Sequence, residues 1–105
     1  MPTVVSLFSG CGGSDAGVLR AGFEVLMAND ILPYARDVYL ANHPETDYVL
    51  GDVSSIESFP SADLLVGCYP CQGFSQGGVR KADRKINTLY LEFARALRIV
   101  KPKAF

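Results

Sequence analysis

The sequence predicts an α/β protein with a parallel sheet and flanking helices. Short, nearly continuous apolar runs alternate with segments whose apolar residues recur at helical spacing, and most of the apolar runs stop at glycine, aspartate or asparagine. Such runs are typical of strands that helices cover on both faces, as in parallel sheets. The length of 105 residues suits one domain, or part of one, with a single core.

The first strand and helix are expected on either side of a glycine cluster. Residues 3–8 are β-branched and apolar, which predicts a short buried strand. The strand stops at the cluster formed by residues 10–13. Ser14 or Asp15 is expected to cap the helix that follows over residues 15–21.

A second strand and helix are expected next. Residues 23–28 predict a strand, which Asn29 and Asp30 close. Pro33 suits the first turn of a helix that runs to about Asn42. This helix is expected to bury the apolar residues that recur along it, which are Tyr34, Val38 and Ala41.

The rest of the chain predicts two strands and a last helix. Residues 48–50 form a brief strand, residues 54–60 a short helix or turn, and residues 63–69 a buried strand. Residues 70–85 are rich in glycine and polar side chains, which predicts a mobile loop with a functional role. Leu89, Phe93, Leu97 and Val100 recur at helical spacing, which predicts a last helix that stops before Pro102.

Composition excludes several classes of protein. Hydrophobic residues make up 49% of the chain, which indicates a folded globular protein and not a disordered one. No apolar run approaches the roughly 18 residues that span a membrane. The first residues lack the features of a signal peptide, so we expect an intracellular protein. Cys11, Cys68 and Cys71 are then expected to be free thiols.

Charge is distributed unevenly although the formal net charge is only −1. Nine acidic and two basic side chains lie before position 80, and eight basic and two acidic side chains follow. A basic segment on an otherwise acidic chain suits contact with a polyanion at one edge of the molecule. A solvated helix face explains the same pattern without any ligand.

The glycine cluster and two aspartates at strand ends suggest a binding site. With Gly10 and Gly12 as the first two glycines of a dinucleotide fingerprint, the third position falls on Asp15, whose carboxylate would repel a pyrophosphate. This favours a cofactor without a diphosphate. Asp30 lies where a carboxylate accepts hydrogen bonds from ribose hydroxyls, and Asp52 follows the next strand, where it could accept from an adenine amino group. The alternative is a glycine turn with two solvated aspartates.

Two cysteines at close spacing, Cys68 and Cys71, allow three interpretations. A redox pair is the first, but such a pair usually opens a helix, whereas Cys68 ends a predicted strand. A structural zinc site needs four ligands, and His43, beside Pro44, is expected to be a solvated residue of a surface turn. The third interpretation makes Cys71 a lone nucleophile on the loop at the edge of the sheet.

Two motifs together resemble those of the DNA (cytosine-5) methyltransferases. They are Phe8-Ser-Gly-Cys-Gly-Gly13 and Pro70-Cys-Gln-Gly-Phe-Ser75, whose order and separation match the family. The similarity continues through Ala28-Asn-Asp30, Gly51-Asp-Val53 and Thr88-Leu89. The resemblance implies a Rossmann-like S-adenosylmethionine-dependent methyltransferase fold, a parallel sheet with flanking helices that we expect to be incomplete in this chain.

The resemblance implies that S-adenosylmethionine is the cofactor. The residues that would bind it are Phe8, Gly10, Gly12, Gly13, Asp30, Ile31, Asp52, Val53 and Leu89. Within this set, Asp30 would bind the ribose hydroxyls, Asp52 and Val53 the adenine, and Leu89 would close over the pocket. Ile31 stands where much of the family has an aromatic residue, so its contact with adenine would be apolar packing only.

The resemblance also implies the chemistry. Cys71 would attack C6 of a cytosine flipped out of double-stranded DNA, so that C5 accepts the methyl group. The residues expected to contact DNA lie on the loop after Cys71 and are Gln72, Ser75, Arg80, Lys81, Arg84 and Lys85. No metal site is expected. The family suggests restriction-modification in the cytoplasm of a prokaryote.

The resemblance covers the N-terminal part of the catalytic domain over residues 1–105, without the glutamate motif and the target-recognition domain that follow in the family. We therefore expect the chain to be inactive alone and to need the remaining part of the domain, on the same or a second chain. Two other functions stay open. One is methylation of a tRNA cytosine, and the other is a nonenzymatic cofactor- or nucleic-acid-binding fragment of a split enzyme.

Overall fold

The structure is a computed structural model that describes residues 2–67 and 89–105. Strands and helices alternate in the predicted order. The elements are β1 (Thr3–Leu7), α1 (Gly13–Arg20), β2 (Glu24–Asp30), α2 (Pro33–Asn42), β3 (Asp47–Leu50), a 3₁₀ turn (Val53–Ser55), β4 (Leu64–Gly67) and α3 (Leu89–Val100). The predicted loop over residues 70–85 and the last two residues of the predicted strand over 63–69 lie outside the described residues.

The four strands form one parallel sheet in the order β3-β2-β1-β4. Val4 of β1 pairs with Val25 of β2 on one side and with Leu64 of β4 on the other. The chain thus runs outward from β1 to β3 and then returns to add β4 beyond β1. This reversal at β1 is a topological switch point, and α/β folds bind ligands at the carboxyl ends of the strands beside it.

A hydrophobic core joins the sheet to α3. Its buried members come from the sheet, from the 3₁₀ turn and the residue after it, and from α3: Val5, Leu7, Met27, Leu65, Val53, Ile56, Ala96 and Val100. Gly67 at the end of β4 lies close beneath α3, since a Cβ built on it would lie 2.6 Å from the Phe93 ring. Beyond α3, Ala104 forms a parallel bridge with Leu64.

The start of α1 differs from the prediction. The helix begins at Gly13, and its N-cap is Gly12, which adopts a left-handed conformation and makes no side-chain capping bond. Neither Ser14 nor Asp15 caps it, so that prediction is wrong. The reason is tertiary: Asp15 is fully buried, and its carboxylate accepts hydrogen bonds from β1 and α2.

The buried face of α2 also differs from the prediction. Pro33 opens the helix as expected, but Tyr34 and Val38 are 65% and 46% exposed, and Ala41 is exposed as well. The buried residues are Ala35 and Tyr39, one turn apart on another side of the helix. Tyr39 is buried and its hydroxyl binds Asp15. The side of α2 that carries Tyr39 is therefore the side that packs against the rest of the protein.

None of the helices in residues 2–67 and 89–105 combines the length and the apolar character needed to cross a membrane. Most helix and strand boundaries follow the predictions to within one or two residues. The main exception is the region 54–60, where the regular structure is limited to the 3₁₀ turn Val53–Ser55.

Candidate functional site

A pocket of about 280 Å³ opens at the carboxyl ends of the first three strands. Its lining comes from the end of β1, the β2–α2 and β3–3₁₀ connections and the first residue of α3. The lining residues are Phe8, Asn29, Asp30, Ile31, Leu32, Gly51, Asp52, Val53 and Leu89. Six of these belong to the predicted cofactor set, namely Phe8, Asp30, Ile31, Asp52, Val53 and Leu89. The site therefore forms at the carboxyl ends of the parallel strands, where α/β folds bind ligands.

Asp30 connects the glycine loop to the start of α2. Its Oδ2 accepts a hydrogen bond from the Gly10 backbone N–H at 2.8 Å. Its Oδ1 accepts from the backbone N–H groups of Ile31 and Leu32 at 2.6 and 3.3 Å. Each carboxylate oxygen has two lone pairs, so these bonds orient the group and leave acceptor capacity toward the pocket.

The loop after β1 has an unusual backbone. Phe8, Gly10 and Gly12 have φ angles of 54°, 57° and 95°, all in the left-handed region. Glycine adopts such angles without steric cost, whereas Phe8 does so at a cost of about 1–3 kcal/mol. Strain of this kind persists where the surroundings hold it. Here the loop places the Phe8 side chain in the pocket lining.

The glycine loop rests on a buried group that we call the floor cluster: Ser6, Gly12, Asp15, Tyr39 and His43. Asp15 is 0% exposed, and its Oδ1 accepts a hydrogen bond from Ser6 Oγ at 2.7 Å. Its Oδ2 accepts one from the Tyr39 hydroxyl. Burial, and then the bond to Asp15, raise the pKa of the Tyr39 phenol well above its ordinary value.

The floor cluster corrects the predicted role of Asp15. A carboxylate exposed toward the ligand was expected to repel a pyrophosphate, but Asp15 is buried and its two oxygens bind Ser6 and Tyr39. The carboxylate is therefore held within the protein, and Asp15 is not among the residues that line the pocket. The expectation that it faces a ligand is wrong, because the first turn of α1 directs this side chain inward.

His43 is likewise part of the floor cluster. The prediction that it is a solvated residue is wrong. It is 9% exposed, and its ring packs against that of Tyr39 with centroids 4.7 Å apart. A Cβ built on Gly12 would lie 2.9 Å from Tyr39 Cδ2 and 3.1 Å from His43 Nε2. The two rings thus fill the space that a side chain at position 12 would need.

Tyr48 supports the same loop from β3. Its hydroxyl donates to the Gly10 carbonyl at 3.4 Å, and its ring packs 4.9 Å from that of Tyr39. Burial, followed by the negative charge of Asp30, raises the pKa of Tyr48 to about 12. Tyr48 is therefore a neutral hydrogen-bond donor at physiological pH.

Residues 52–56, which we call the wall turn, contribute Asp52 and Val53 to the pocket lining. Asp52 Oδ1 accepts hydrogen bonds from the backbone N–H and the hydroxyl of Ser54, both at 2.9 Å. Val53 is buried, and it lines the pocket while it also packs into the core. The wall turn thus presents one carboxylate and one apolar side chain to the same space.

Sequence analysis missed three residues of the lining: Asn29, Leu32 and Gly51. Asn29 is 1% exposed, and its amide donates to the Val49 and Gly51 carbonyls at 2.8 and 3.1 Å. It thereby holds the ends of β2 and β3 together below the pocket. The sequence feature that could have identified Asn29 is a polar amide at the end of an apolar strand. A buried amide needs hydrogen-bond partners, so it indicates a structural role there.

Several predicted site residues lie elsewhere or outside the described residues. Gly10, Gly12 and Gly13 shape the loop but do not line this pocket. Cys71 and the predicted DNA contacts Gln72, Ser75, Arg80, Lys81, Arg84 and Lys85 lie outside the described residues, as does Cys68. Cys11 is exposed with a free thiol. In the described part of the chain, no three His, Cys, Asp or Glu side chains are grouped so as to hold a metal.

Comparison with known proteins places the chain in a family. The family model for C-5 cytosine-specific DNA methylases matches residues 2–105. The chain belongs to this family. Among curated relatives, the type II methyltransferase M.NgoPII of Neisseria gonorrhoeae is 40% identical over 97% of this chain, and M.Eco47II of Escherichia coli is 38% identical over 96%. The chain spans 31% and 25% of the lengths of these two relatives.

Solved structures agree with this assignment to the C-5 cytosine-specific DNA methylases. A protein described as a DNA modification methyltransferase encoded within an E. coli prophage matches with a TM-score of 0.82 and 35% identity, over 97% of this chain and 30% of its own. Spodoptera frugiperda DNMT2 matches with a TM-score of 0.69 at 24% identity, over 92% of this chain and 31% of its own, which shows likeness of fold alone. The predicted family, fold and cofactor, S-adenosylmethionine, are confirmed.

The pocket fits the nucleoside part of that cofactor. A carboxylate, Asp30, is held at the end of β2, where it can accept bonds from ribose hydroxyls. Ile31, Val53 and Leu89 provide apolar surface for the faces of an aromatic base. A methylase of this family has no diphosphate to accommodate, which agrees with a glycine loop that departs from the dinucleotide fingerprint.

Proposed function

We propose that this chain is the N-terminal part of the catalytic domain of a DNA cytosine-5 methyltransferase and that its pocket binds S-adenosylmethionine. The observation that supports this most is the convergence of Asp30, Asp52 and apolar side chains at the carboxyl ends of β1, β2 and β3. The proposed whole enzyme is longer, in line with relatives of which this chain spans about 30%. The remaining part would complete the domain and add target recognition.

Five of the lining residues have a proposed role. Asp30 accepts hydrogen bonds from the ribose hydroxyls, because its oxygens are oriented by the N–H groups of Gly10 and Ile31. Ile31 and Val53 pack on the adenine, and Asp52 accepts from its amino group. Leu89, at the start of α3, covers the base from the other side. The bound cofactor supplies an activated methyl group on its sulfonium sulfur.

Cys71 is the proposed nucleophile. Its thiolate Sγ forms a bond to C6 of the flipped cytosine, and the electron pair of the C5–C6 double bond moves to C5, which becomes nucleophilic. C5 then bonds the methyl carbon while the bond from that carbon to the sulfonium sulfur breaks, and the electron pair of the broken bond stays on the sulfur. Removal of the C5 proton then restores the double bond and breaks the Sγ–C6 bond. The family resemblance of the cysteine motif and the position of residue 71 shortly after β4 support this role.

The polar and basic residues that follow Cys71 are proposed to contact DNA. Lysine and arginine side chains bind phosphates without regard to sequence. The proposed substrate is double-stranded DNA, from which the target cytosine is flipped. The bacterial relatives that are type II methyltransferases support a role in restriction-modification in the cytoplasm of a prokaryote.

A covalent trap tests the proposed chemistry. The complete enzyme is incubated with S-adenosylmethionine and duplex DNA in which 5-fluorocytosine replaces cytosine, so that no proton can leave C5 and the adduct persists. We expect mass spectrometry of the digested complex to place the adduct on Cys71. Cys71→Ser should abolish the adduct, whereas the matched variant Cys68→Ser should retain it.

Other outcomes of this test would contradict the proposal. An adduct on a different residue, or a Cys71→Ser enzyme that still methylates DNA, would exclude Cys71 as the nucleophile. Activity that required both Cys68 and Cys71 would indicate a dithiol enzyme. An adduct formed with tRNA but not with DNA would change the substrate to RNA.

Two measurements together separate an enzyme from a binding module: calorimetry of this chain and a methyl-transfer assay of the complete protein. Titration with S-adenosylmethionine should show whether residues 1–105 bind the cofactor without the rest of the domain. If this chain binds the cofactor but the complete protein transfers no methyl group, the result would support a nonenzymatic binding module. Turnover by the complete form would support the methyltransferase.

A further inference from the structure

Arg95 of α3 binds the backbone of the wall turn. Its Nη2 donates to the Val53 carbonyl at 2.9 Å, and its Nη1 donates to the Ile56 carbonyl at 2.7 Å. Its Nε donates to Glu92 Oε2 at 2.8 Å, one helical turn earlier on α3. One guanidinium thus joins two carbonyls of the turn to a carboxylate of the helix.

This arrangement holds Arg95 in one orientation. The side chains of Arg95 and Glu92 are 27% and 26% exposed, so the pair is partly shielded from water. The guanidinium also lies 5.8 Å from the centre of the Phe59 ring. Arginine presents its donors as a rigid planar fork, and hydrogen bonds from a charged donor are stronger than neutral ones.

The contact joins two sides of the pocket that lie far apart in sequence. Val53 lines the pocket from the wall turn, and Leu89 lines it from the first turn of α3. Arg95 belongs to the same helix as Leu89 and binds the carbonyl of Val53 itself. The Arg95 fork therefore ties the backbone of Val53 to the helix that carries Leu89.

We propose that Arg95 is a positioning residue that sets the width of the adenine side of the pocket and thereby the affinity for S-adenosylmethionine. This inference rests on the proposed function of the pocket. Arg95 belongs to the basic C-terminal segment, but its donors bind Glu92 and the wall turn. Its role is thus distinct from phosphate binding, and binding of DNA should not depend on it.

The test compares Arg95 with Arg98, an exposed arginine on the same helix. The complete enzyme is assayed for methyl transfer while S-adenosylmethionine and DNA are varied in turn. For Arg95→Met we expect the KM for S-adenosylmethionine to rise about tenfold, with kcat at saturating cofactor and the KM for DNA within about twofold of the unaltered enzyme. Arg95→Lys keeps the charge but not the fork, and should raise the same KM about threefold.

The matched variant Arg98→Met should leave all three constants within about twofold of the unaltered enzyme. Equal KM values for the cofactor in the Arg95 and Arg98 variants would overturn the inference. A lower kcat at unchanged KM would also overturn it, because loss of folded enzyme alone has that effect. If Arg95→Met does not fold, Arg95→Lys decides between these outcomes.

Calorimetry and methyl transfer by the unaltered enzyme separate this inference from the proposed function. An unaltered enzyme that binds no S-adenosylmethionine in calorimetry would overturn both. An unaltered enzyme that binds and transfers the methyl group, together with Arg95 variants of unchanged affinity, would overturn only the role of Arg95.

Discussion

The floor cluster and the wall turn support the same pocket by different means. Beneath the glycine loop, the floor cluster is buried and centres on the carboxylate of Asp15, which is 0% exposed. Beside the pocket, the wall turn is held by the side chain of Arg95, which keeps 27% of its surface exposed. One support lies within the protein, and the other lies at its surface.

The difference in burial decides what each support contributes. A buried polar group that loses a hydrogen-bond partner costs about 1–3 kcal/mol, because water cannot replace the partner. Water can reach the partly exposed Arg95 and its partners, so the loss of their hydrogen bonds should lower the free energy of unfolding by less. Changes in the floor cluster should therefore lower the free energy of unfolding, and changes at Arg95 should mainly lower cofactor affinity.

The largest effect is expected from Gly12→Ala in the floor cluster. The new Cβ would lie 2.9 Å from Tyr39 and 3.1 Å from His43, and the φ of 95° strains any L side chain. We expect the free energy of unfolding to fall by about 2–4 kcal/mol. Chemical denaturation measures this change.

Gly17→Ala is the control for this prediction. Gly17 lies in α1, has no heavy atom within 4 Å of a built Cβ, and has no positive φ. Alanine there should leave the stability unchanged or raise it by up to about 1 kcal/mol. Similar losses in both variants would show that the floor cluster is not a specific constraint.

A smaller effect is expected from Tyr39→Phe, which removes only the hydroxyl that binds Asp15. The buried carboxylate then keeps its bond from Ser6 and loses the other. We expect a loss of about 1–3 kcal/mol in the free energy of unfolding. Tyr34→Phe, whose ring is 65% exposed, should change it by less than about 0.5 kcal/mol. Equal effects of the two substitutions would contradict the role of the floor cluster.

The smallest effect is expected at Asp63, at the opposite end of the sheet from the pocket. Hydrogen bonds from Thr3, first from its backbone N–H at 3.0 Å, and the charge of Lys103 lower the pKa of Asp63. Because the folded-state pKa is lowered, this contribution to stability is present above the ordinary value of 3.8 and is lost as the pH falls through the folded-state pKa.

Asp63→Asn is therefore expected to lower the melting temperature slightly at pH 7 and by less at pH 2. Cofactor affinity should be unchanged, because Asp63 does not line the pocket. Thermal melts at the two pH values, with calorimetry at pH 7, measure both quantities. If the melting temperatures of Asp63→Asn and the unaltered protein differed by the same amount at both pH values, an electrostatic cause would be excluded.

Much of the pocket could be predicted because of one property of parallel sheets. Asp30 and Asp52 follow successive strands, and the carboxyl ends of such strands meet at one edge. Ile31 and Val53 are their chain neighbours and lie in the same lining. Ile31, Val53 and Leu89 could be assigned to the cofactor site only through the family resemblance, and the position of Leu89 depends in addition on how α3 packs.

The floor cluster could not be predicted, because each of its contacts joins residues distant in sequence. Helical spacing in α2 is consistent with more than one buried face, and the bond between Tyr39 and Asp15 selects the one that is observed. His43 follows the last turn of α2, so its burial depends on the same choice. Arg95 was grouped with the basic segment by charge alone, although its donors bind the wall turn.

The sequence by itself determined the strand and helix order, the parallel sheet and the placement of Asp30 and Asp52 at one edge of that sheet, because apolar periodicity and the residues that end each strand are local properties. The other predicted pocket residues came from the resemblance to the family. The tertiary structure decided the supports of that pocket. Whether Asp15, His43 and Arg95 face water or the protein depends on which groups other elements bring within hydrogen-bond distance. A charge or a ring therefore acquires its role only when those elements pack together.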